Sequence, residues 1–229
     1  MERPIILKVE NLSVKLEGGV ILDNLSFEVK EGDVLTILGP NGAGKTVLLK
    51  ALMGILPSKG KIEWQSGAKV SYVPQRLPFI KDIPMSVEEF FKLKGASIKE
   101  IKEIFKSIGL KKDMLKKGIG ELSSGQFQRV LIGWALVLNP RVLLFDEPTT
   151  GIDVGGQESV YELLEKLRKE RNLTILLVTH DLSVVYKLAT LCLCLNKKML
   201  CYGFPRDLTP KHLSQLYGGH IKLFRHTHD

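Results

Sequence analysis

Lys45 and Thr46 end the run Gly39-Pro40-Asn41-Gly42-Ala43-Gly44-Lys45-Thr46, which fits the pattern Gly, four residues, Gly-Lys and Ser/Thr. The residue types define the chemistry. Glycines at 39, 42 and 44 let the backbone bend so that successive N–H groups converge on anionic oxygens. Lys45 offers a point charge to β- and γ-phosphates, and the Thr46 hydroxyl offers a ligand to Mg2+. An apolar strand from Val34 to Leu38 precedes the run and an apolar-rich segment from Val47 to Ile55 follows it. A helix there aims its positive N-terminal end at the same anion.

Downstream, Val142-Leu-Leu-Phe-Asp146-Glu147 puts two carboxylates at the C-terminal end of an apolar strand. In a doubly wound sheet that edge is where ligands bind. Asp146 can orient Mg2+ and its waters, while Glu147, on the other side of the backbone, can polarise a water in line with a γ-phosphate. Between the two motifs Leu122-Ser123-Ser124-Gly125-Gln126 opens a helix. Alone it is an ordinary N-cap. In this order it is a second anion site, and because one chain already cradles phosphates at residues 39–46, its ligand is a nucleotide held by another subunit.

The elements that must position these groups follow from periodicity. Residues 5–38 read as short strands, Ile5 to Val9, Leu12 to Leu16, Val20 to Ile21, Leu25 to Val29 and Val34 to Leu38, with turns at Gly18-Gly19 and Glu31-Gly32-Asp33. A further pair runs from Gly60 to Trp64 and from Lys69 to Val73. From about Arg76 to Leu122 the texture turns helical, with capping boxes at Ser86/Glu89 and Ser97/Glu100. Ile98, Ile101, Ile104, Phe105 and Ile108 fall at helical spacing, and lysines fill the opposite face. A helix from Gln126 to Leu138, a strand from Val142 to Phe145, a helix from Gln157 to Glu170 and a strand from Thr174 to Val178 complete the pattern. Alternation at this spacing implies a mostly parallel, right-handed α/β sheet.

With 229 residues, 44% of them hydrophobic, the chain suits one α/β domain or one core with an inserted subdomain. A net charge of +8 suits polyanionic partners but also an ordinary basic protein. No apolar run approaches the ~20 residues a membrane-spanning helix needs, and the N-terminus lacks the apolar stretch of a secretory signal. Three cysteines, Cys192, Cys194 and Cys201, argue against a disulfide framework and for a reducing cytosol. Cys192 and Cys194 alternate on one strand face, where small buried hydrophobes are expected.

These motifs, in this order and over essentially the whole chain, resemble an ATP-binding cassette ATPase subunit of a transporter. The resemblance implies a P-loop NTPase core with a mostly parallel sheet, an N-terminal antiparallel β subdomain and an inserted α-helical subdomain. Residues 1–229 then form one nucleotide-binding domain, with the helical subdomain over about 76–140 and a His-bearing tail over about 217–229. Residues 39–46 match the Walker A loop and residues 142–146 Walker B. Glu147 matches the catalytic carboxylate, Gln75 the Q-loop glutamine, residues 122–126 the signature, Asp153 the D-loop aspartate and His180 the switch histidine. ATP with Mg2+ is the implied ligand, with Thr46, Gln75 and Asp146 around the metal and His180 at the γ-phosphate. Two copies are expected head to tail, each ATP lying between one Walker A loop and the other copy's Ser123, Ser124, Gly125 and Gln126. The implied partners are an integral membrane permease and, indirectly, an extracytoplasmic metal-binding protein. The chain would sit peripherally on the cytoplasmic face of the membrane, and no nucleic acid is expected.

Two positions depart from the pattern. Ser124 stands where the signature usually has Gly, adding a Cβ beside a site built on close backbone approach. Leu16 aligns with the aromatic residue that stacks on adenine in many relatives, and stacking on an aromatic is worth about 1–3 kcal/mol per base in nucleic-acid binders. Within the family the chain is similar to the ATPases of zinc and manganese importers, zinc above all. The segments that carry this are Tyr72-Val-Pro-Gln-Arg-Leu-Pro78, Gly151-Ile-Asp-Val-Gly-Gly-Gln157, Leu191-Cys-Leu-Cys-Leu-Asn196 and the ending Leu223-Phe-Arg-His-Thr-His228. His220, His226, His228 and Asp229 are either zinc donors or a plain polar tail. The same ATPase role for manganese, iron or a non-metal cargo is the alternative, and a cassette ATPase acting on nucleic acid is a more distant one.

Overall fold

The computed structural model describes residues 3–75 and 83–218. The tail histidines 220, 226 and 228 with Asp229, and residues 76–82 after Gln75, lie outside them. The chain divides into two compact units, residues 5–64 with 178–229 and residues 1–4 with 65–177.

The first of these carries the glycine-rich loop. Strands β1 (Ile5–Leu16) and β2 (Gly19–Lys30) form one long antiparallel hairpin, with β4 (Lys59–Trp64) on the far side of β1. The sequence pattern breaks each hairpin strand in two. The chain instead runs through, because Asn11 and Asn24 adopt left-handed backbone (φ 52 and 55) at bulges, a conformation asparagine tolerates better than most residues. Each bulge is pinned from the opposite strand. The Asn11 N–H donates to Ser26 Oγ at 2.8 Å and the Asn24 N–H to Ser13 Oγ at 2.9 Å.

In the same unit β3 (Val34–Leu38) pairs in parallel with β8 (Leu191–Asn196), which pairs antiparallel with β9 (Lys198–Gly203). All five residues of β3 are buried, as expected of a strand covered on both faces. Helix α1 (Lys45–Leu52) follows the loop, and the Trp64 indole donates to the Leu52 carbonyl at 2.9 Å, satisfying one of its C-terminal acceptors. Helices α6 (Leu182–Leu188) and α7 (Pro210–Tyr217) flank β8; Val185 and Leu216 join a cluster with Cys192, Cys194 and Leu208.

The cysteine expectation needs correction. Cys194 and Cys201 form a disulfide, leaving Cys192 as the buried free thiol. The reason is register: the two face each other across β8 and β9 with Cα atoms 4.8 Å apart, within disulfide reach. Burial pushes the Cys192 thiol up to about 11, so it packs as the small hydrophobe expected.

The second unit holds β5 (Val70–Val73), β6 (Val142–Asp146) and β7 (Thr174–Val178), the last running just into the other unit's sequence, with β5 and β6 parallel. Between β5 and β6 lie α2 (Val87–Lys92), α3 (Ile98–Ser107) and α4 (Ser124–Leu136). Both predicted capping boxes are present, Ser86 with Glu89 and Ser97 with Glu100. The apolar face of α3 is buried through Ile101, Ile104 and Phe105. Gly133 permits this packing: a Cβ there would sit 2.7 Å from Ile108 and 2.9 Å from Ile104. Phe90 stacks on Trp134 at 5.0 Å, and the Lys94 ammonium lies 3.6 Å from the same indole ring.

Helix α5 (Val154–Arg171) starts three residues before the predicted Gln157. Gly155 and Gly156 hide its first turn from a propensity reading. Gly156 is there for space, since a Cβ would lie 2.5 Å from Ile152 Cγ2.

Candidate functional site

The loop at residues 39–46 is held from behind. A Cβ on Gly39 would fall 2.2 Å from the Leu195 carbonyl oxygen, and one on Gly44, where φ is +97°, 2.7 Å from Leu22 Cδ2. The turn between β8 and β9 braces the loop as well, because the Lys197 N–H donates to the Ala43 carbonyl at 3.0 Å. Gly39 and Gly44 are therefore glycines for close approach, and Gly42, with φ +79° and open space around it, is one for backbone conformation. Pro40 is half-buried, Ala43 buried, and Asn41 and Gly42 form the exposed tip.

Lys45 is buried and folded onto its own loop, donating to the carbonyls of Gly39 at 2.8 Å and Pro40 at 3.0 Å. Thr46 is half-buried in the first turn of α1, a turn that holds no acidic residue. An ammonium, a threonine hydroxyl and a helix N-terminus without a carboxylate suit a polyphosphate and a hard cation such as Mg2+. Beside the same loop the Thr179 N–H donates to the Ile37 carbonyl in β3 at 3.3 Å, and exposed His180 is the next residue, two beyond the last residue of the strand Thr174–Val178. Leu16 ends β1, paired with Gly19, and is 39% exposed.

The other unit gathers the carboxylates. Asp146 ends β6 and is buried, and the Tyr72 phenol donates to its Oδ2 at 3.1 Å. Burial and the neighbouring Asp146 charge push the Tyr72 phenol well above its ordinary range, which keeps it a donor. Glu147 follows with φ 46°, a left-handed backbone rarely adopted by glutamate. Its Oε2 accepts from Gln75 Nε2 at 3.0 Å and Thr150 Oγ1 at 3.3 Å, and Gln75 Nε2 also reaches Thr150 Oγ1 at 3.3 Å. Gln75, Thr150 and Glu147 thus close a triangle of hydrogen bonds.

Ser123 caps α4 in a full capping box. Its Oγ accepts from the Gln126 N–H at 3.3 Å, and Gln126 Oε1 accepts from the Ser123 N–H at 3.1 Å. Ser124 and Gly125 form the first turn, which has no acidic residue, and a Cβ on Gly125 would meet nothing within 4 Å. The carbonyl of Asp153, the exposed N-cap of α5, accepts from the Gln157 N–H at 2.9 Å.

The structure brings Gln75 and Glu147 together in one unit and sets Lys45, Thr46 and the approach to His180 around one loop in the other. Sequence reasoning assigns no role to Tyr72 or Thr150. Thr150 lies three residues after Glu147 in the Pro-Thr-Thr-Gly turn and is legible as a local hydroxyl; Tyr72 depends on β5–β6 register, for which the sequence carries no signal.

A glycine-rich loop feeding a helix, with a buried strand ending in Asp-Glu, defines a nucleoside-triphosphate-binding α/β protein. Residues 22–150 match the protein family described as ABC transporter. The zinc import ATP-binding protein ZnuC of Photorhabdus laumondii subsp. laumondii is 36% identical over 231 residues, covering 98% of this chain and 90% of that one. ZnuC of Rickettsia prowazekii is 35% identical over 232 residues, covering 100% and 99%. Among solved structures, CbiO1 of Clostridium perfringens, part of the ABC transporter complex CbiONQ, superposes with a TM-score of 0.79 at 28% identity, covering 90% of each chain. An ATP-binding cassette of an ABC transporter in its ADP conformation gives 0.82 at 24% identity, covering 94% of this chain and all of that one, a likeness of fold.

The chain belongs to the ABC transporter family, as one of its ATP-binding, ATP-hydrolysing subunits. Such a subunit dimerises and works at a membrane with a permease. Among the described residues no helix is long and apolar enough to cross a membrane.

Proposed function

We propose that this chain hydrolyses ATP to power import of a divalent metal, zinc, through a separate membrane permease. The observation that carries the enzymatic half is the strained, twice hydrogen-bonded Glu147 carboxylate beside buried Asp146. Similarity to proteins named for zinc import, over nearly the whole chain, supports the cargo.

In this reading residues 1–229 form one nucleotide-binding domain, with a helical subdomain over about 76–140 and a tail over about 217–229, peripheral on the cytoplasmic face. Backbone amides of Gly39, Pro40, Asn41, Gly42, Ala43 and Gly44 surround the phosphates, less the missing N–H of Pro40. Lys45 exchanges the Gly39 and Pro40 carbonyls for β- and γ-phosphate oxygens. Thr46, Asp146 and Gln75 would hold Mg2+, which would supply charge neutralisation to the phosphates. Glu147 accepts the proton of the attacking water, its orientation fixed by Gln75 and Thr150. His180 donates to the γ-phosphate. Ser123, Ser124, Gly125 and Gln126 present the α4 N-terminus to the nucleotide of a second, head-to-tail copy, and Asp153 lines the same dimer contact. Leu16 covers the adenine with aliphatic area and no π-face. The metal reaches the permease from an extracytoplasmic binding protein, and no nucleic acid is involved.

The test is metal uptake into vesicles of controlled orientation holding this chain, the permease and the binding protein encoded beside it. Uptake of Zn2+ that requires ATP and is lost in Glu147→Gln supports the reading. ATP-dependent uptake of Mn2+ alone, or of neither metal with ATPase activity intact, removes the zinc assignment.

A further inference from the structure

Asp146 is 3% exposed, and a carboxylate buried to that extent needs hydrogen-bond donors to remain charged. Its Oδ2 has one in Tyr72, which comes from a different strand 74 residues away. The contact is built into the sheet. Tyr72 is the register partner of Leu144 on the neighbouring parallel strand. Partners in register share a face, and Asp146, two residues beyond Leu144, lies on that face as well. Tyr72 is long enough to reach forward along the strand direction to the carboxylate, and the residue is half-buried.

The same short segment also serves the next carboxylate. Three residues after Tyr72, Gln75 donates to Glu147. One end of β5 therefore supplies a donor to each member of the Asp146-Glu147 pair, a neutral phenol to the first and a neutral amide to the second. Neutral donors fix a carboxylate without cancelling its charge, as a lysine or arginine in the same place would.

We propose that Tyr72 is a positioning residue for the metal: it holds Asp146 in the rotamer that presents Oδ1 to Mg2+, and so sets the affinity of the nucleotide site for the metal and not for ATP itself. Ligating carboxylates are commonly fixed by such outer partners, whose removal costs about 10- to 100-fold in metal affinity. The inference rests on the reading of Asp146 as a metal carboxylate.

The experiment compares the parent with Tyr72→Phe and Asp146→Asn, using adenylyl imidodiphosphate so that binding is read without turnover. Nucleotide affinity is measured in EDTA and across a Mg2+ titration, and Mn2+ bound in the complex is followed by electron paramagnetic resonance. Tyr72→Phe should bind the analogue in EDTA as the parent does, raise half-saturating Mg2+ by about tenfold, and alter the bound-Mn2+ signal. Half-saturation equal to the parent's, with Asp146→Asn impaired, overturns the role of Tyr72 and leaves the site reading standing. Asp146→Asn equal to the parent overturns both. If Tyr72→Phe loses analogue binding in EDTA, 3-fluorotyrosine at position 72 keeps the ring and changes donor strength; a displaced Mg2+ half-saturation then supports the proposal and an unchanged one overturns it.

Discussion

Gln75 Nε2 donates to Glu147 Oε2 at 3.0 Å across 72 residues of sequence, so the orientation of the Glu147 carboxylate is set in part by a side chain that follows a different strand. Gln75 is itself exposed. Gln75→Ala should lower kcat by about tenfold, the order expected for one lost hydrogen bond to a charged group. Nucleotide affinity in EDTA should stay within about twofold of the parent. Steady-state kinetics with separate equilibrium binding checks this. Loss of affinity with kcat unchanged would assign Gln75 to binding instead.

Gly39→Ala should abolish nucleotide binding even though alanine is the smallest possible change. Its Cβ would meet a backbone oxygen, that of Leu195, at 2.2 Å, and backbone cannot rotate out of the way as a side chain can. Gly18→Ala meets nothing within 4 Å and should bind ATP like the parent. A fluorescent-nucleotide titration of the two variants checks the contrast.

The disulfide gives a chemical count. With Cys194 and Cys201 joined and Cys192 buried, a thiol reagent should find no group in the native chain. It should find one after unfolding without reductant and three after unfolding with it. Reduction should also lower stability by about 2–3 kcal/mol, the loop-closure expectation for a short cross-link. Three thiols without reductant would contradict the bond.

The contiguous motifs are legible in the amino-acid sequence alone. The loop at 39–46, the Asp146-Glu147 pair and the capping boxes at Ser86 and Ser97 each depend on residues within a few positions of one another, where spacing alone fixes which groups meet. What escapes such a reading depends on register between distant strands. Tyr72 reaches Asp146, and Cys194 faces Cys201, only because particular residues pair across the sheets. The hairpin differs from its sequence pattern for a related reason. Asn11 and Asn24 look like strand breakers, yet Ser26 and Ser13 on the opposite strands hold them as bulges inside continuous strands. The early start of α5 is hidden because Gly156, poor in helix propensity, is required by the closeness of Ile152.

The capping boxes carry a pH dependence. Hydrogen bonds from Ser86 and Ser97 hold the Glu89 and Glu100 carboxyls below their ordinary value of 4.5, and the Arg168 hydrogen bond does the same for Glu165. A depressed folded-state value means that each contribution is complete above pH 4.5 and is lost as pH falls through the folded value. Acid should therefore destabilise the chain below about pH 4.5. Ser97→Ala should lower the melting temperature at pH 7 by about 2–4 °C and by less at pH 3, as read by scanning calorimetry. An equal loss at both would mean that the Glu100 charge plays no part.

The most direct test of the account is ATP turnover by Glu147→Gln. The amide keeps the size of the side chain and can still meet Gln75 and Thr150, but it cannot take a proton from water. The variant should bind ATP with Mg2+ as tightly as the parent and accumulate as an ATP-bound dimer on size-exclusion chromatography. Its hydrolysis rate should fall by at least about a hundredfold, the low end for loss of a general base. Turnover at the parent rate would contradict the assignment of Glu147 as the group that activates water.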